Sequence, residues 1–388
     1  MRGSVNLFEA MAVALLASVG ALLALPIGAA QGAVTLPSGF TQSQVVSGLR
    51  DPTDMEFAPD GRLFVAEQAG RVRIVKPDGT LARFLNISTK VDSTSERGLQ
   101  ALTFDPSFST NHYVYLQYTK KATSTTPVHN RVVRVTANGN KVVSGSEKLI
   151  FPLNNQNDAH HMGGAIDFGA DGKLYIATGD NETPTNAQQL TNLFGKMLRI
   201  NKDGTIPTDN PFYTTASGNN RAIWALGLRN PFKFAVQPGT GTIFINDVGE
   251  NTWEEINQAK KGANYGWPAH EGVANDPPRY VNPIFAYGHA GSDPATTGCS
   301  ITGGVFYNPT TVQFPSGYVG DYFFADFCGG WIRSFDPSSQ EASGFAIGIE
   351  GRPVDLEVSK EGELYYLSRG RSSTPGTVIK IRYAGGNP

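Results

Sequence analysis

The chain is poor in charge, cysteine and histidine. Charged residues make up only 17% of its 388 residues, with 32 Lys and Arg against 34 Asp and Glu, so the formal net charge is −2. No long basic run offers a field for phosphates, which argues against nucleic acid as a partner. Only Cys299 and Cys328 are present, too few for a cysteine-only structural zinc site. In an exported chain an even count suits one intrachain disulfide, here closing a loop of about thirty residues; two buried free thiols are the alternative. No Gly-x-Gly-x-x-Gly follows a strand-like run, so nothing points to a nicotinamide site. Beyond the first thirty residues no apolar run is long enough to cross a bilayer.

Those first residues carry Arg2, an apolar run from Ala10 to Leu25 and then the small residues Gly28, Ala29, Ala30 and Ala33. The pattern is that of a secretory signal over 1–33, with a mature chain over 34–388. An uncleaved anchor is the competing reading, because Glu9 weakens the positive n-region. Either way the remainder lies outside the cytoplasm, secreted or periplasmic, with no stable membrane insertion after cleavage.

What is abundant is turn and strand material: 44 Gly, 24 Pro and 10% aromatics. The run from Phe57 to Glu67, FAPDGRLFVAE, returns as Phe168 to Thr178, FGADGKLYIAT, and both read strand, tight turn, strand. Weaker copies run from Phe104 to Tyr118, Phe234 to Asn246, Val305 to Asp326 and Leu356 to Tyr366. After most copies comes a run in which apolar and basic residues alternate, such as Arg71-Val-Arg-Ile-Val75 or Lys196-Met-Leu-Arg-Ile200, which predicts an outer, half-exposed strand. Six such units predict an all-β fold, a six-bladed β-propeller of four-stranded antiparallel blades, as one domain over 34–388. The ring is expected to close through Gln42–Ser47 pairing beside the last copy. A two-sheet β-sandwich is the minority alternative.

Three segments could carry chemistry. His160 and His161 sit adjacent in a Gly-rich loop, suited to proton transfer or to structural hydrogen bonding. Arg229-Asn230-Pro231 places a cation and an amide just before a strand, for an anionic ligand or for backbone capping. The cluster Asp247-Val-Gly249-Glu250-Asn-Thr-Trp-Glu254-Glu255 mixes carboxylates with exposable carbonyls, the oxygen chemistry of calcium, without EF-hand spacing; a solvated acidic turn is the bland reading.

In order and spacing these segments resemble the soluble sugar dehydrogenases that use pyrroloquinoline quinone. The matching runs are Arg97 to Phe108 (RGLQALTFDPSF), His161-Met-Gly-Gly, Gly172 to Asp180 (GKLYIATGD), Gly195-Lys-Met-Leu-Arg-Ile, Leu228-Arg-Asn-Pro231 and Asn264-Tyr-Gly-Trp-Pro268. The resemblance covers roughly residues 38 to 383. It implies that His161 is the general base for a sugar C1 hydroxyl whose hydride passes to the quinone. Arg229 would polarise the quinone carbonyls beside Asn230, and Arg352 would pair with a cofactor carboxylate. The carbonyls of Gly249 and Glu250 would hold a calcium at the cofactor, and Glu254, Glu255 and Tyr265 a second, structural calcium.

The chain departs from the pattern at four positions. A second arginine falls on Val354, a lysine near Cys328, a glutamine on Arg97 and an aspartate on His160. A tricarboxylate needs several cations, so the losses weaken the expected site unless Arg97 compensates. The expected activity is oxidation of an aldose to its lactone, with electrons passed to an external acceptor, a quinone or cytochrome. A noncatalytic carbohydrate- or protein-binding propeller, or a calcium-dependent lactonase, is the alternative.

Overall fold

The structure, a computed structural model, describes residues 34–385 except 275–278, 292, 294 and 295; the expected export signal lies outside the described residues. Strand β1 (Phe40–Leu49) comes first. Blade one is β2 (Pro52–Phe57), β3 (Leu63–Glu67), β4 (Arg71–Val75) and β5 (Leu81–Asn86). Blade two is β6 (Leu99–Phe104), β7 (Tyr113–Lys120), β8 (His129–Asn138) and, after the short β9 (Lys141–Val142), β10 (Lys148–Asn155). Blade three holds β11 (Ile166–Phe168), β12 (Leu174–Thr178), β13 (Lys196–Ile200) and β14 (Ile223–Leu226), and blade four β15 (Pro231–Val236), β16 (Ile243–Asp247), β17 (Trp253–Gln258) and β18 (Phe285–Gly288). Blade five is β19 (Ile301–Phe306), β20 (Tyr322–Asp326), β21 (Trp331–Asp336) and β22 (Glu341–Ile347). Blade six takes β23 (Pro353–Val358), β24 (Leu364–Ser368) and β25 (Gly376–Tyr383), and β1 completes it by pairing antiparallel with β25. This is the six-bladed, four-stranded propeller expected from the repeats, closed where expected.

The repeated Gly turn has one physical form. Ala58 N–H donates to Arg62 O and Gly61 N–H to Ala58 O; Gly169 with Lys173 and Ser359 with Glu363 repeat the pair. Gly61, Gly172 and Gly362 each take φ between +69° and +86°, where a side chain is strained. Neighbouring blades then pack face to face. Phe64, Val72, Ile74 and Phe84 of blade one are buried against Leu102, Phe104, Val114 and Leu116 of blade two. Truncating one such aromatic, as in Phe64→Ala, costs about 3–5 kcal/mol.

One expectation is corrected. The strands of alternating apolar and basic residues are third in each sheet, not outermost, and β13 is buried along its whole length. Segments with weaker patterning, such as β5 and β22, cover them. Lys196 can be buried in β13 because its Nζ donates to the carbonyls of Asn186, Ala187 and Phe194 at 2.5–3.0 Å.

Polar groups of the six inner strands join blade to blade around the central channel. Thr53 Oγ1 donates to Leu99 O, Asp54 accepts from Leu102 N–H, Thr103 Oγ1 donates to Asp167, Thr302 Oγ1 to Pro353 O, and Asp355 accepts from Met55 N–H. The channel cavity is lined by Asp54, Glu56, Asp167, Asp355 and Glu357, and among its lining residues the cation is Lys233, bonded to Asp54 and lying 3.1 Å from Asp355.

Candidate active site

The loop from β10 into β11 carries His161, buried and held at φ +51°. Its N–H donates to Glu96 Oε2 at 2.8 Å, and its Nδ1 lies 2.7 Å from Asp180 Oδ1. Asp180, just after β12, is wholly buried; its Oδ2 accepts from Trp267 Nε1 at 2.8 Å, and its N–H donates to Arg229 O at 2.8 Å. Gly179 precedes it because a Cβ there would lie 2.2 Å from the His161 carbonyl oxygen. A buried carboxylate on Nδ1 selects the tautomer with a proton there, which leaves Nε2 as the basic nitrogen. Nε2 in turn lies 3.1 Å from Glu182 Oε1.

Arg229 and Asn230 come from the entry to β15. Their N–H groups donate to Asp247 at 3.0 and 2.7 Å, and Asn230 Oδ1 accepts from Gly163 N–H at 2.9 Å. Burial, then the nearby Glu255, pushes the Asp247 carboxyl well above the carboxylate range. The Arg229 guanidinium donates to Val248 O and lies over the Trp267 ring, while its Nε has no partner.

Asn230 also lines a cavity of about 270 Å³ near the channel mouth, close to the roughly 300 Å³ at which small-molecule pockets begin. Gln68, Glu96, Gln100, Phe327, Val354 and Arg369 are among its walls, and Lys233 is shared with the channel below. Gln100 is buried, yet neither its Oε1 nor its Nε2 has a partner. The fully buried Gln117 amide lacks partners too, but Gln100 lines the cavity, so its amide is the one open to a polar ligand there.

The expected cofactor residues are distributed unevenly. Arg97 is committed elsewhere: its guanidinium donates to Gln156 Oε1, Asp92 Oδ2 and Asp158 O, and it is not among the cavity's lining residues. It is therefore not placed to compensate for a missing cation. Arg352 is exposed, with Cζ 5.1 Å from the Phe327 ring centroid. Val354 is buried and apolar in the wall, and Cys328 is bonded to Cys299 in the disulfide that the cysteine count allowed.

In the acidic turn, one oxygen of Glu271 accepts from the N–H groups of Glu250, Asn251, Thr252 and Trp253 at 2.8–3.1 Å. Burial raises the Glu271 carboxyl, but these four donors outweigh it and hold it below its usual range. Because peptides are planar and trans, the Gly249 and Glu250 carbonyls point away from Glu271, as a carbonyl-built cation site requires. The side chains of the residues expected at the second metal have protein partners. Glu254 and Glu255 are adjacent on β17 and face opposite sides: Glu254 binds His289 Nε2 and Ile301 N–H, Glu255 binds Gly272 N–H and Asn257. The Tyr265 hydroxyl donates to Gln258 O. Among the described residues no three His, Cys, Asp or Glu side chains are grouped as metal ligands.

Residues 49–377 match the family model Glucose / Sorbosone dehydrogenase. The chain belongs to this family. Quinoprotein glucose dehydrogenase B of Acinetobacter calcoaceticus is 30% identical over 75% of the chain and 65% of its own length. Aldose sugar dehydrogenase YliI of Escherichia coli K12 is 29% identical over 57% of the chain and 59% of its own length. Human Hedgehog-interacting protein is 30% identical over 53% of the chain and 33% of its length. The chain thus spans less than two thirds of the length of these curated relatives. The PQQ-bound aldose sugar dehydrogenase of Streptomyces coelicolor superposes with a TM-score of 0.70 at 21% identity, covering 90% of the chain and 100% of that structure, which supports the fold.

Within this glucose/sorbosone dehydrogenase fold, several polar residues of the site lay beyond the sequence argument. Asp180 ended a matching run and could have been flagged as the histidine's partner. Trp267 stood in another. Gln100 stood in a third, unremarked, whereas Glu182, Glu271 and Arg369 carried no signal, because each meets the site from a different blade or loop.

Proposed function

We propose that this family member is an exported quinoprotein that oxidises the C1 hydroxyl of an aldose to the lactone. The observation that carries the reading is the buried Asp180–His161 pair, tied through Glu96 and Gly163 to a cavity whose Gln100 amide lacks partners. His161 Nε2 takes the hydroxyl proton, Asp180 holds the ring in the tautomer that leaves Nε2 basic, and Trp267 Nε1 fixes Asp180. Pyrroloquinoline quinone, when bound, supplies the hydride acceptor. Its residues in this chain are Arg229, Asn230 and Gln100 for the carbonyl and ring edge, with Arg352 and Arg369 for carboxylates.

Arg369 answers the loss at Val354. It ends the hairpin opposite Arg352, whose carbonyl accepts from Arg369 N–H at 3.0 Å, and it lines the cavity. Burial, and then the neighbouring Asp51 and Arg352 charges, leaves its guanidinium below the usual arginine range, with Asp51 opposing the fall and Arg352 adding to it. The Arg369 guanidinium is held at the wall by Asp51 O, Pro52 O and Gln68 Oε1, with Asp51 Oδ1 3.7 Å away, and a cofactor carboxylate would join that set. Calcium at the Gly249 and Glu250 carbonyls would add a further positive charge, and export would follow from residues 1–33. Arg97 has no part in this reading, and a second, structural calcium would lie at Glu254, Glu255 and Tyr265. The relatives named for Hedgehog interaction, with Val354 and Cys328, favour a ligand-binding propeller as the second reading.

The test is anaerobic mixing of quinone-loaded protein with a panel of aldoses while following the quinone absorbance. Reduction by at least one sugar, lost in His161→Ala, supports the dehydrogenase. Binding without reduction supports the binding module.

A further inference from the structure

The histidine has a carboxylate at each ring nitrogen, and the two differ: Asp180 hydrogen-bonds Nδ1, whereas Glu182 lies 3.1 Å from Nε2 as an ion-pair neighbour. Asp180 on Nδ1 has a fully buried side chain; Glu182 on Nε2 keeps 46% of its side chain exposed. A proton that reaches Nε2 has no path to solvent through Asp180. Through Glu182 it has one step to water.

The loop is built to put Glu182 there. Asn181 and Glu182 both take φ of +56°, and with His161 at +51° that makes three non-glycine residues in the left-handed region at one spot. Such a conformation costs of order 1–3 kcal/mol per residue and persists only where surroundings over-determine it. Here they do. Asn181 Oδ1 accepts from Asn157 and Asp158 N–H, its Nδ2 donates to Asp158 O and His160 O, and Glu182 N–H donates to Asp180 Oδ1. Lys196 Nζ, beneath, binds the carbonyls of Asn186, Ala187 and Phe194 farther along the same connection. The remaining charged groups near the ring are Glu96, bonded to the His161 N–H, and the exposed His160, paired with Asp158.

We infer that Glu182 is the proton-exit residue of the reaction: its carboxylate leaves Nε2 when a substrate hydroxyl takes that position, and returns to carry the proton away. This rests on the dehydrogenase reading above. In balance, the hydroxyl O–H proton passes to Nε2, the C1–H leaves as hydride to the quinone, and the carbonyl of the lactone forms. Nε2–H then gives its proton to Glu182 Oε1, and the carboxyl releases it to water or a buffer base. His161 is left neutral for the next substrate. Glu182 also occupies the space through which the hydroxyl must reach Nε2, so its removal acts oppositely on binding and on turnover.

The experiment uses quinone- and calcium-loaded full-length protein with Glu182→Gln, Glu182→Asp and wild type, at saturating sugar and acceptor. Steady-state turnover of Glu182→Gln in dilute buffer is expected to fall roughly 10²-fold, the low end of what a positioned proton-transfer group contributes. It recovers as acetate or imidazole is raised, and KM for the sugar drops. The single-turnover reduction of bound quinone stays near wild type, and Glu182→Asp keeps most of its turnover. In the cofactor-free protein, at a pH acid enough for the ring to carry both protons, the His161 Nε2–H signal in 1H–15N spectra exchanges more slowly with water once Glu182 is glutamine. Turnover unaffected by the substitution, or a loss equal in single turnover and blind to buffer, overturns the exit role while leaving the dehydrogenase reading intact. Wild type that never reduces the quinone overturns both.

Discussion

The cavity at the channel mouth and the channel beneath it share a wall at Lys233 and could hardly be more different in how their polar groups are satisfied. In the channel, Lys233 binds Asp54 and Asp355, and both carboxylates also accept an inter-blade N–H. In the cavity, both polar atoms of Gln100 lack a partner, while Arg369, the other wall cation, is bonded to Asp51 O, Pro52 O and Gln68 Oε1. The first is a closed network that joins blades. The second is the same polar interior with its partner left out. Burial and polarity alone therefore do not mark a site; the informative feature is a buried donor or acceptor with nothing to bind.

Substitutions on either side of Lys233 sharpen that contrast. On the cavity side, Asp180→Asn in quinone-loaded protein lowers single-turnover reduction by about 10²–10⁴-fold, because the amide no longer holds the Nδ1–H tautomer. On the channel side, Lys233→Met leaves two buried carboxylates without their cation and lowers stability by about 3–5 kcal/mol in denaturant unfolding. If it proves neutral, the channel is not the closed network described. Arg369→Leu weakens quinone binding by about 1.5–3 kcal/mol, the worth of one charge-assisted bond, and lowers stability as well, because the guanidinium also bonds Asp51 O, Pro52 O and Gln68 Oε1.

The smallest effect is one of pH. Burial raises Asp355 to about 7 and Asp167 to about 6, and pushes Glu56 and Glu357 up as well. The unfolded chain has released these protons by about pH 5, whereas the folded channel still holds them. The folded state thus binds more protons, and stability declines as pH rises from 5 to 8. Thermal unfolding of the cofactor-free protein checks this: a melting temperature that climbs over that interval contradicts it.

The fold was legible because an acidic-Gly turn and its flanking strands recur with the same hydrogen bonds at Gly61, Gly172 and Gly362. The order within a blade was not: Lys196 and Arg199 look like surface residues until neighbouring carbonyls and carboxylates are seen to bind them. The site was half legible. His161, Arg229 and Asn230 lie in short distinctive runs, and the structure brings their loops together through Asp180, Gly163 and Asp247. Position-by-position comparison, however, looked for a missing cation at Val354 and for its substitute at Arg97. Arg97 turns to Gln156 and Asp92, and the cation in the cavity wall comes instead from the partner strand, one residue beyond the Pro353–Ser368 pair. Strand register, which a linear sequence does not display, decides such substitutions.

The central claim is that the orphaned cavity groups await a quinone carboxylate and its calcium. It is tested most directly by titrating metal-stripped protein with pyrroloquinoline quinone, with and without calcium, and following the quinone absorbance. The account predicts one molecule bound per chain with a dissociation constant of about 1 μM or tighter, some 8 kcal/mol, dependent on calcium and weakened in Arg369→Leu. No binding at many times that concentration, or binding indifferent to both calcium and Arg369, would contradict it.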